Sequence, residues 1–276
     1  MTTGALIFAF NNQDIDYVAL AEWSAKNIRR HLGIPTTVVT NNQLAVDNAT
    51  FDRVIFAEPE GTGTRHFDDV GKTVPWYNAN RVNAYTLSPY DQTLLLDADY
   101  VVASDQLRTV LKAPQNFMCH RQAYNLATAD SLDDLNKFGA YGMPMWWATV
   151  IMFRKSNTSQ YIFDCMQMVR DNWQHYRDLY GITKSTYRND FALSIALGIV
   201  SGHTLSVDEI PWGLASVMPS NQLTSNQTDG YDITFLDQHN KAKTIGVQGF
   251  DFHAMFHLNV IGKRYHLIKP FPHRDH

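Results

Sequence analysis

The sequence predicts an α/β fold in which a mostly parallel central sheet is flanked by helices, in a single domain. Three observations predict it. Residues 4–10 (GALIFAF) form an unbroken apolar run, as expected of a parallel strand covered on both faces. A segment of helical period follows, and then further short apolar runs at 35–41, 51–58 and 93–96. With 276 residues, 45% of them hydrophobic, the chain suffices for a sizeable core.

The elements are read in order. In residues 14–33, Val18, Ala21, Ala25, Ile28 and Leu32 recur at helical spacing, and Gly33 stops the helix. PTTVVTN (35–41) and FDRVIFAE (51–58) are the next strands. Residues 60–75 are polar and glycine-rich and read as a loop. Residues 76–90 read as helical as far as Pro89. TLLLDADYVV (93–102) and QNFMCHR (115–121) read as strands, and 125–144 as an irregular excursion with one short helix. Residues 146–155 are a strand, and 156–181 and 188–202 are helices. The tail carries short strands at HTLSVDEI, YDITFLD and KAKTIGV.

Charged residues make up 18% and aromatics 12%, which suits a compact enzyme rather than a disordered or coiled-coil chain. A net charge of −4 gives no global pull toward nucleic acid or anionic lipid. The two cysteines, Cys119 and Cys165, form no CxxC pair and read as buried thiols in a reducing compartment. The start lacks the basic residues and apolar stretch of a signal peptide, and no run reaches about 20 apolar residues. The expectation is a cytoplasmic protein with no membrane segment.

The chemistry concentrates at the end of an apolar strand, where Leu94, Leu95 and Leu96 run into Asp97 and Asp99. Alternation along an extended chain points both carboxylates to one side. Two carboxylates this close repel unless a cation lies between them. Hard divalent ions such as Mg²⁺ or Mn²⁺ suit such ligands and share them with phosphates. The bland alternative is a strand-end turn with two solvated acids. A dehalogenase-type phosphatase offers a third reading, with the first aspartate as nucleophile, but a full βαβ unit precedes the motif here.

The stretch NRVNAYTLSPYDQTLLLDADYVV (80–102) resembles the glycogenin and galactosyltransferase-like family of GT-A glycosyltransferases. The matched positions are Arg81, Val82, Tyr85, Leu87, Tyr90 and Asp97-Ala98-Asp99. Further stretches resemble the family in order: Asn11, Asn12 and Tyr17 after the first strand, Ala148 and Thr149, the pair Asn189-Asp190, and His257, Gly262 and Lys263 near the end. The family's Asn-Ser-Gly is absent near Ala148, and Lys269 competes with Lys263 for the phosphate role.

The resemblance implies a GT-A fold with a nucleotide-binding half (1–102) and an acceptor half with tail (103–276). It implies a metal-dependent transferase that moves a sugar from a UDP-sugar to an acceptor hydroxyl. Asn11, Asn12, Tyr17, Arg81, Asp97 and Lys263 would bind the nucleotide sugar. Asp97, Asp99 and His257 would hold Mn²⁺ or Mg²⁺, with His253 as the other candidate histidine. Asn189 and Asp190 would stand at the reacting carbon, where Asp190 is either a general base or a support for the sugar; as plain residues both are good helix caps. Trp146 and Trp147 either stack on sugar or fill the core.

The opening (5–41) also resembles bacteriophage proteins that include hydroxymethylcytosine glycosyl- and arabinosyltransferases. That implies duplex DNA with hydroxymethylated cytosine as acceptor, the base being flipped out, and a host-cytoplasmic location. Arg170, Arg177 and Lys184, seven residues apart, and the group Lys263, Arg264, Lys269 and Arg274 are candidate phosphate contacts or solvated faces. A protein or polysaccharide acceptor and a non-catalytic nucleotide- or sugar-binding module are the alternatives.

Overall fold

In the computed structural model, the described residues are 1–12, 15–43, 49–67, 72–77, 79–132, 135–183, 186–204, 207–226, 230–255 and 257. The first half runs β1 (Thr3–Phe8), α1 (Tyr17–Leu32), β2 (Thr36–Thr40), β3 (Arg53–Phe56), β4 (Gly61–Phe67), β5 (Lys72–Tyr77), a 3-10 turn (Ala79–Asn83), α2 (Ala84–Leu87), β6 (Gln92–Leu96) and β7 (Tyr100–Val101). The second half runs α3 (Leu107–Lys112), β8 (Phe117–His120), β9 (Ala123–Asn125), β10 (Lys137–Phe138), β11 (Met143–Pro144), β12 (Trp147–Arg154), α4 (Asn157–Asp171), α5 (Trp173–Leu179) and α6 (Asn189–Val200). It closes with β13 (Leu214–Ser216), β14 (Gln222–Ser225), β15 (Tyr231–Leu236), β16 (Ala242–Val247) and β17 (Phe252–His253).

The expected fold class is the observed one: a mixed α/β structure around a largely parallel sheet, ordered β3-β2-β1-β6-β12-β8. Strands β3, β2, β1 and β6 pair in parallel, and β12 pairs antiparallel to both β6 and β8. The unbroken apolar runs are explained by two cores, one on each face. Leu94 and Leu96 pack in one with α1, while Leu95, between them, packs in the other with α4 and α6. All three leucines are fully buried. Burial of each contributes about 1.5–3 kcal/mol.

Helix α1 starts where the Asp16 carboxylate accepts from the Ala19 N–H, at 3.0 Å. It ends at Gly33, whose left-handed φ of 69° lets its N–H reach the Ile28 and Arg29 carbonyls. Two aromatics of the 80–102 stretch are structural. Tyr90 packs over Gly4, where a Cβ would lie 2.3 Å from the ring, and its hydroxyl bonds Thr37. Tyr85 packs against Phe153 and Phe163.

Several local expectations are corrected. The glycine-rich 60–75 stretch supplies β4 and the start of β5, which pair antiparallel in spite of the two glycines within β4. The helix expected from residue 76 begins only after β5, as a 3-10 turn and one α-turn. Residues 156–181 break at Asn172 into α4 and α5. Among the described residues of HTLSVDEI there is no ladder strand, and Glu209 makes an isolated bridge to Cys119. The 125–144 excursion carries the small β10–β11 ladder. Among the described residues, no helix is long and apolar enough to cross a membrane.

His120 is buried on β8 with Nδ1 2.9 Å from the Trp212 carbonyl, which fixes that nitrogen as the N–H donor. Burial pushes its pKa from 6.5 down to about 4. Between those values the unfolded chain takes up a proton that the folded chain refuses. The stabilisation is therefore complete above pH 6.5 and is lost as the pH falls toward 4, on the order of 3 kcal/mol. His120→Gln keeps a donor and does not titrate. Urea unfolding at pH 7.5 and 4.5 should show a smaller acid loss for the variant; equal losses would remove His120 from the acid limb.

Candidate active site

The site forms where β6 stops. The Asp97 N–H donates to the Thr149 carbonyl at 3.0 Å, so the end of β6 lies against the start of β12. The chain then turns, with the Tyr100 N–H on the Asp97 carbonyl at 3.1 Å, and continues as β7. The two carboxylates thus sit on a turn and not on a continuing strand, which corrects the alternation argument; the turn still gathers them. Strand β17 pairs antiparallel with β7, with His253 opposite Tyr100. That register sets His253 Nε2 3.3 Å from Asp99 Oδ2.

Donor atoms of Asp97, Asp99 and His253 all lie within 4.8 Å of one another. Two hard carboxylates and one imidazole at this span fit Mn²⁺ or Mg²⁺. Burial pushes the Asp97 carboxyl up to about 6, against the pull of Arg81 and with the added repulsion of Asp99. Arg81 is itself 3% exposed. Its Nη1 meets Asp97 Oδ1 at 2.5 Å, and its Nη2 donates to the Ala148 and Thr149 carbonyls. A buried guanidinium therefore ties the first aspartate to β12.

The third element is the N-terminus of α6. Ser194 Oγ, one turn into that helix, accepts from the Trp146 N–H at 2.7 Å and holds α6 against the entry to β12. Asp190 Oδ1 accepts from the Ala148 N–H at 2.9 Å, and its Oδ2 meets Arg188 at 2.5 Å. Burial acts most strongly on this carboxyl and pushes it up. Arg188 and the Ala148 N–H together outweigh that, so Asp190 is held below the usual range as an anion. Asn189, also buried, accepts from the Tyr187 hydroxyl at 3.0 Å.

These groups line one cavity of about 370 Å³. Its polar wall is Arg81, Asp97, Asp99, Arg188, Asn189, Asp190 and His253. Aromatics line it as well: Phe8, Phe10 and Tyr17 from the β1–α1 corner, and Trp76 and Tyr77 from β5. The location obeys the rule that open α/β sheets bind ligands beyond the carboxyl ends of their strands.

Of the residues read from sequence, the structure brings together Arg81, Asp97, Asp99, Asn189, Asp190 and Tyr17, with Ala148 and Thr149. His257 is corrected. It lies outside the carboxylate cluster, with Nε2 3.0 Å from the Met218 carbonyl. His253 stands in the place expected for it, because strand pairing, not spacing to a later lysine, decides which histidine meets Asp99. Asn11 and Asn12 do not line the cavity. Asn11 accepts from the Val18 N–H and donates to Asp16; Asn12 accepts from the Ile15 N–H and donates to the Pro75 carbonyl. Both order the β1–α1 corner that presents Tyr17. Lys263, with Gly262, Arg264, Lys269 and Arg274, lies outside the described residues.

Trp146 and Trp147 are both buried, and Trp147 also meets the cavity. Arg170 pairs with Glu60 and Asp171, and Arg177 with Asp178, on two helices separated at Asn172; Lys184 lies outside the described residues. Cys119 and Cys165 are free and buried, as expected. Trp76, Tyr77 and Arg188 escaped sequence reading: the first two fall in the segment read as a helix from residue 76 and lie on β5, and Arg188 reads as an ordinary residue before a helix.

No family model matches the chain, and no curated protein does. Solved structures of similar form exist. The glycosyltransferase GlyE of Streptococcus pneumoniae TIGR4 is 13% identical over 76% of this chain and 46% of its own, with a TM-score of 0.42. The galactosyltransferase LgtC, in complex with donor and acceptor sugar analogues, is 13% identical over 70% of each chain, with a TM-score of 0.43. The mannosyltransferase PcManGT of Pyrobaculum calidifontis, in complex with GDP-Man and Mn²⁺, is 11% identical over 76% of this chain and 54% of its own, with a TM-score of 0.41. The chain spans about half the length of GlyE. At these scores the likeness is one of general form, and the reading of the site rests on its own geometry.

Proposed function

We propose that the chain is a metal-dependent glycosyltransferase of the GT-A kind, moving a sugar from a UDP-sugar to an acceptor hydroxyl. The observation that carries this is the convergence of Asp97, Asp99 and His253 with aromatic side chains in one cavity, beside a third, ionised carboxylate at Asp190. Asp97, Asp99 and His253 would hold Mn²⁺ or Mg²⁺, which would neutralise the departing diphosphate. Tyr17 and Trp76 offer faces for the nucleobase. Arg81 keeps Asp97 ionised and fixed. Asp190, with both oxygens engaged, is suited to accepting hydrogen bonds from the sugar and to stabilising positive charge at the anomeric carbon.

The phosphatase alternative needs the first aspartate as an unencumbered nucleophile, whereas Arg81 covers Asp97 Oδ1. Thermal shift of the chain with UDP, with and without Mn²⁺, tests the leading reading. Metal-dependent stabilisation supports it. Inorganic phosphate release from phosphomonoesters without any response to UDP would replace it with the hydrolase.

The histidine assignment is tested in the same assay. His253→Ala should weaken Mn²⁺-dependent UDP binding by at least about tenfold, with little change for His257→Gln, which keeps a polar partner for Met218. The opposite pattern would restore His257 as the ligand.

For the acceptor we propose hydroxymethylcytosine in duplex DNA, with arabinose a candidate sugar. Its support is the resemblance of residues 5–41 to phage DNA-modifying transferases. Duplexes carrying cytosine or hydroxymethylcytosine, incubated with a panel of UDP-sugars and weighed by mass spectrometry, test it. A chain that hydrolyses UDP-sugar yet leaves both duplexes unchanged would shift the acceptor to protein or glycan.

A further inference from the structure

Strand β17 brings His253 to the two aspartates, yet its ladder with β7 is only two residue pairs long, Phe252 with Val101 and His253 with Tyr100. Such a short ladder leaves little to fix a side chain at its end. Both ends carry additional bonds. Beyond His253, the Ala254 N–H donates to the Asp99 carbonyl at 3.0 Å. Before Phe252 stands Asp251, which is 4% exposed.

A single oxygen of Asp251, Oδ1, accepts three hydrogen bonds from the chain that leaves β7: the Ala103 N–H at 2.8 Å, the Ser104 N–H at 2.7 Å and the Ser104 hydroxyl at 2.9 Å. The other oxygen, Oδ2, is buried with no hydrogen-bond partner among the described residues. An aspartate placed only to cap a turn would turn its second oxygen to solvent. This one accepts burial in order to gather both amides and the hydroxyl, which are the kind of donors that stabilise a carboxylate most. Strand β13 crosses next to it, with the Val217 N–H on the His253 carbonyl at 3.0 Å, so the backbone of His253 is held from both sides.

We propose that Asp251 is a positioning residue for the metal-binding triad. It clamps the outgoing end of β7 to the incoming end of β17 and so holds His253 in register with Asp99. Resting on the metal reading of Asp97, Asp99 and His253, this adds a residue that touches neither metal nor substrate. It also explains why a carboxylate two residues before the histidine is buried, between Phe250 and Phe252 in sequence.

The test titrates Mn²⁺ into the full chain, followed by calorimetry, for the parent, Asp99→Asn, Asp251→Ala, Asp251→Asn and Ser104→Ala. Amide hydrogen exchange is followed in parallel without metal. Asp99→Asn loses a ligand and should abolish the binding. Asp251→Ala should weaken Mn²⁺ about 10–100-fold, the range for residues that orient metal ligands from behind. It should also speed exchange at Ala103, Ser104 and Ala254 while leaving the amides of β1 and β6 protected. Asp251→Asn keeps an oxygen for the three donors and should recover most of the affinity. Ser104→Ala removes one donor of three and should act in the same direction with a smaller effect, which covers the case in which Asp251→Ala does not fold. If Asp251→Ala, or Ser104→Ala in its place, leaves Mn²⁺ affinity and exchange at Ala254 at parental values, the positioning role is overturned and the metal reading stands. If the parent takes up no Mn²⁺, the metal reading falls and the positioning role with it.

Discussion

Asp99→Asn is expected to reduce sugar transfer at least about 10²–10³-fold while leaving the melting temperature within a few degrees of the parent. The rate loss follows from removing one oxygen ligand from a cation that neutralises the leaving diphosphate, a contribution of several kcal/mol. The small effect on stability follows from geometry. Asp99 is partly exposed to the cavity, and its neighbour across the turn is a second carboxylate, so its loss relieves repulsion. Asp97→Asn should be equally inactive but less stable, because it also deprives the buried Arg81 of its anion. Steady-state transfer and thermal melts of the two variants, side by side, separate the outcomes. Near-parental transfer by either variant would end the metal assignment.

Arg81→Met is expected to cost the most stability of any single change at the site. The side chain is 3% exposed, and it holds Asp97 and two carbonyls of β12 at once. Breaking a buried ion pair from one side costs about 3–5 kcal/mol. The Asp97 side chain is 32% exposed, so the charge left behind can draw water from the cavity, and the lower end of that range applies. Methionine refills part of the volume, which isolates the loss of charge and hydrogen bonds from the loss of packing. Urea unfolding of the apo protein measures it. A change below about 1 kcal/mol would show that the guanidinium serves only the ligand. Activity should fall as well, because Asp97 loses the group that favours its ionised form.

How much of this was legible in the sequence varies with the kind of interaction. The unbroken leucines before Asp97 identified β6, because burial on both faces leaves an unbroken apolar run that needs no knowledge of partners. The body and end of helix α1 were legible, since its period and its terminal glycine are local signals; its start, read from residue 14, falls at the Asp16 cap. Asp97 with Asp99, and Arg81 before them, were legible as a constellation, and the structure gathers all three. The β4–β5 hairpin was not. Its glycines and polar residues outvoted the weak alternation of a ladder that lies outside the main sheet. Trp76 and Tyr77 were lost with it.

The histidine shows where local reading stops. His253 and His257 are four residues apart, and both are buried. The resemblance, with Lys263 six residues after the histidine, favoured His257. The choice between them depends on one antiparallel register between strands separated by about 150 residues, and no local pattern encodes that number. Asn11 and Asn12 make the same point in reverse. Amides after a first strand suit a nucleotide, but the corner that follows uses them for its own backbone N–H groups.

The sequence by itself determined which segments are buried, where the first helix stops, and that two carboxylates end a buried strand. Those properties depend on the periodicity of apolar side chains and on neighbours a few residues away. Only the tertiary structure decided which histidine joins the carboxylates, which arginine neutralises each acid and which aromatics line the same cavity. Each of those pairings joins residues from different elements. It is fixed by strand register and helix placement, which follow from packing of the whole core and not from any stretch of the chain read alone.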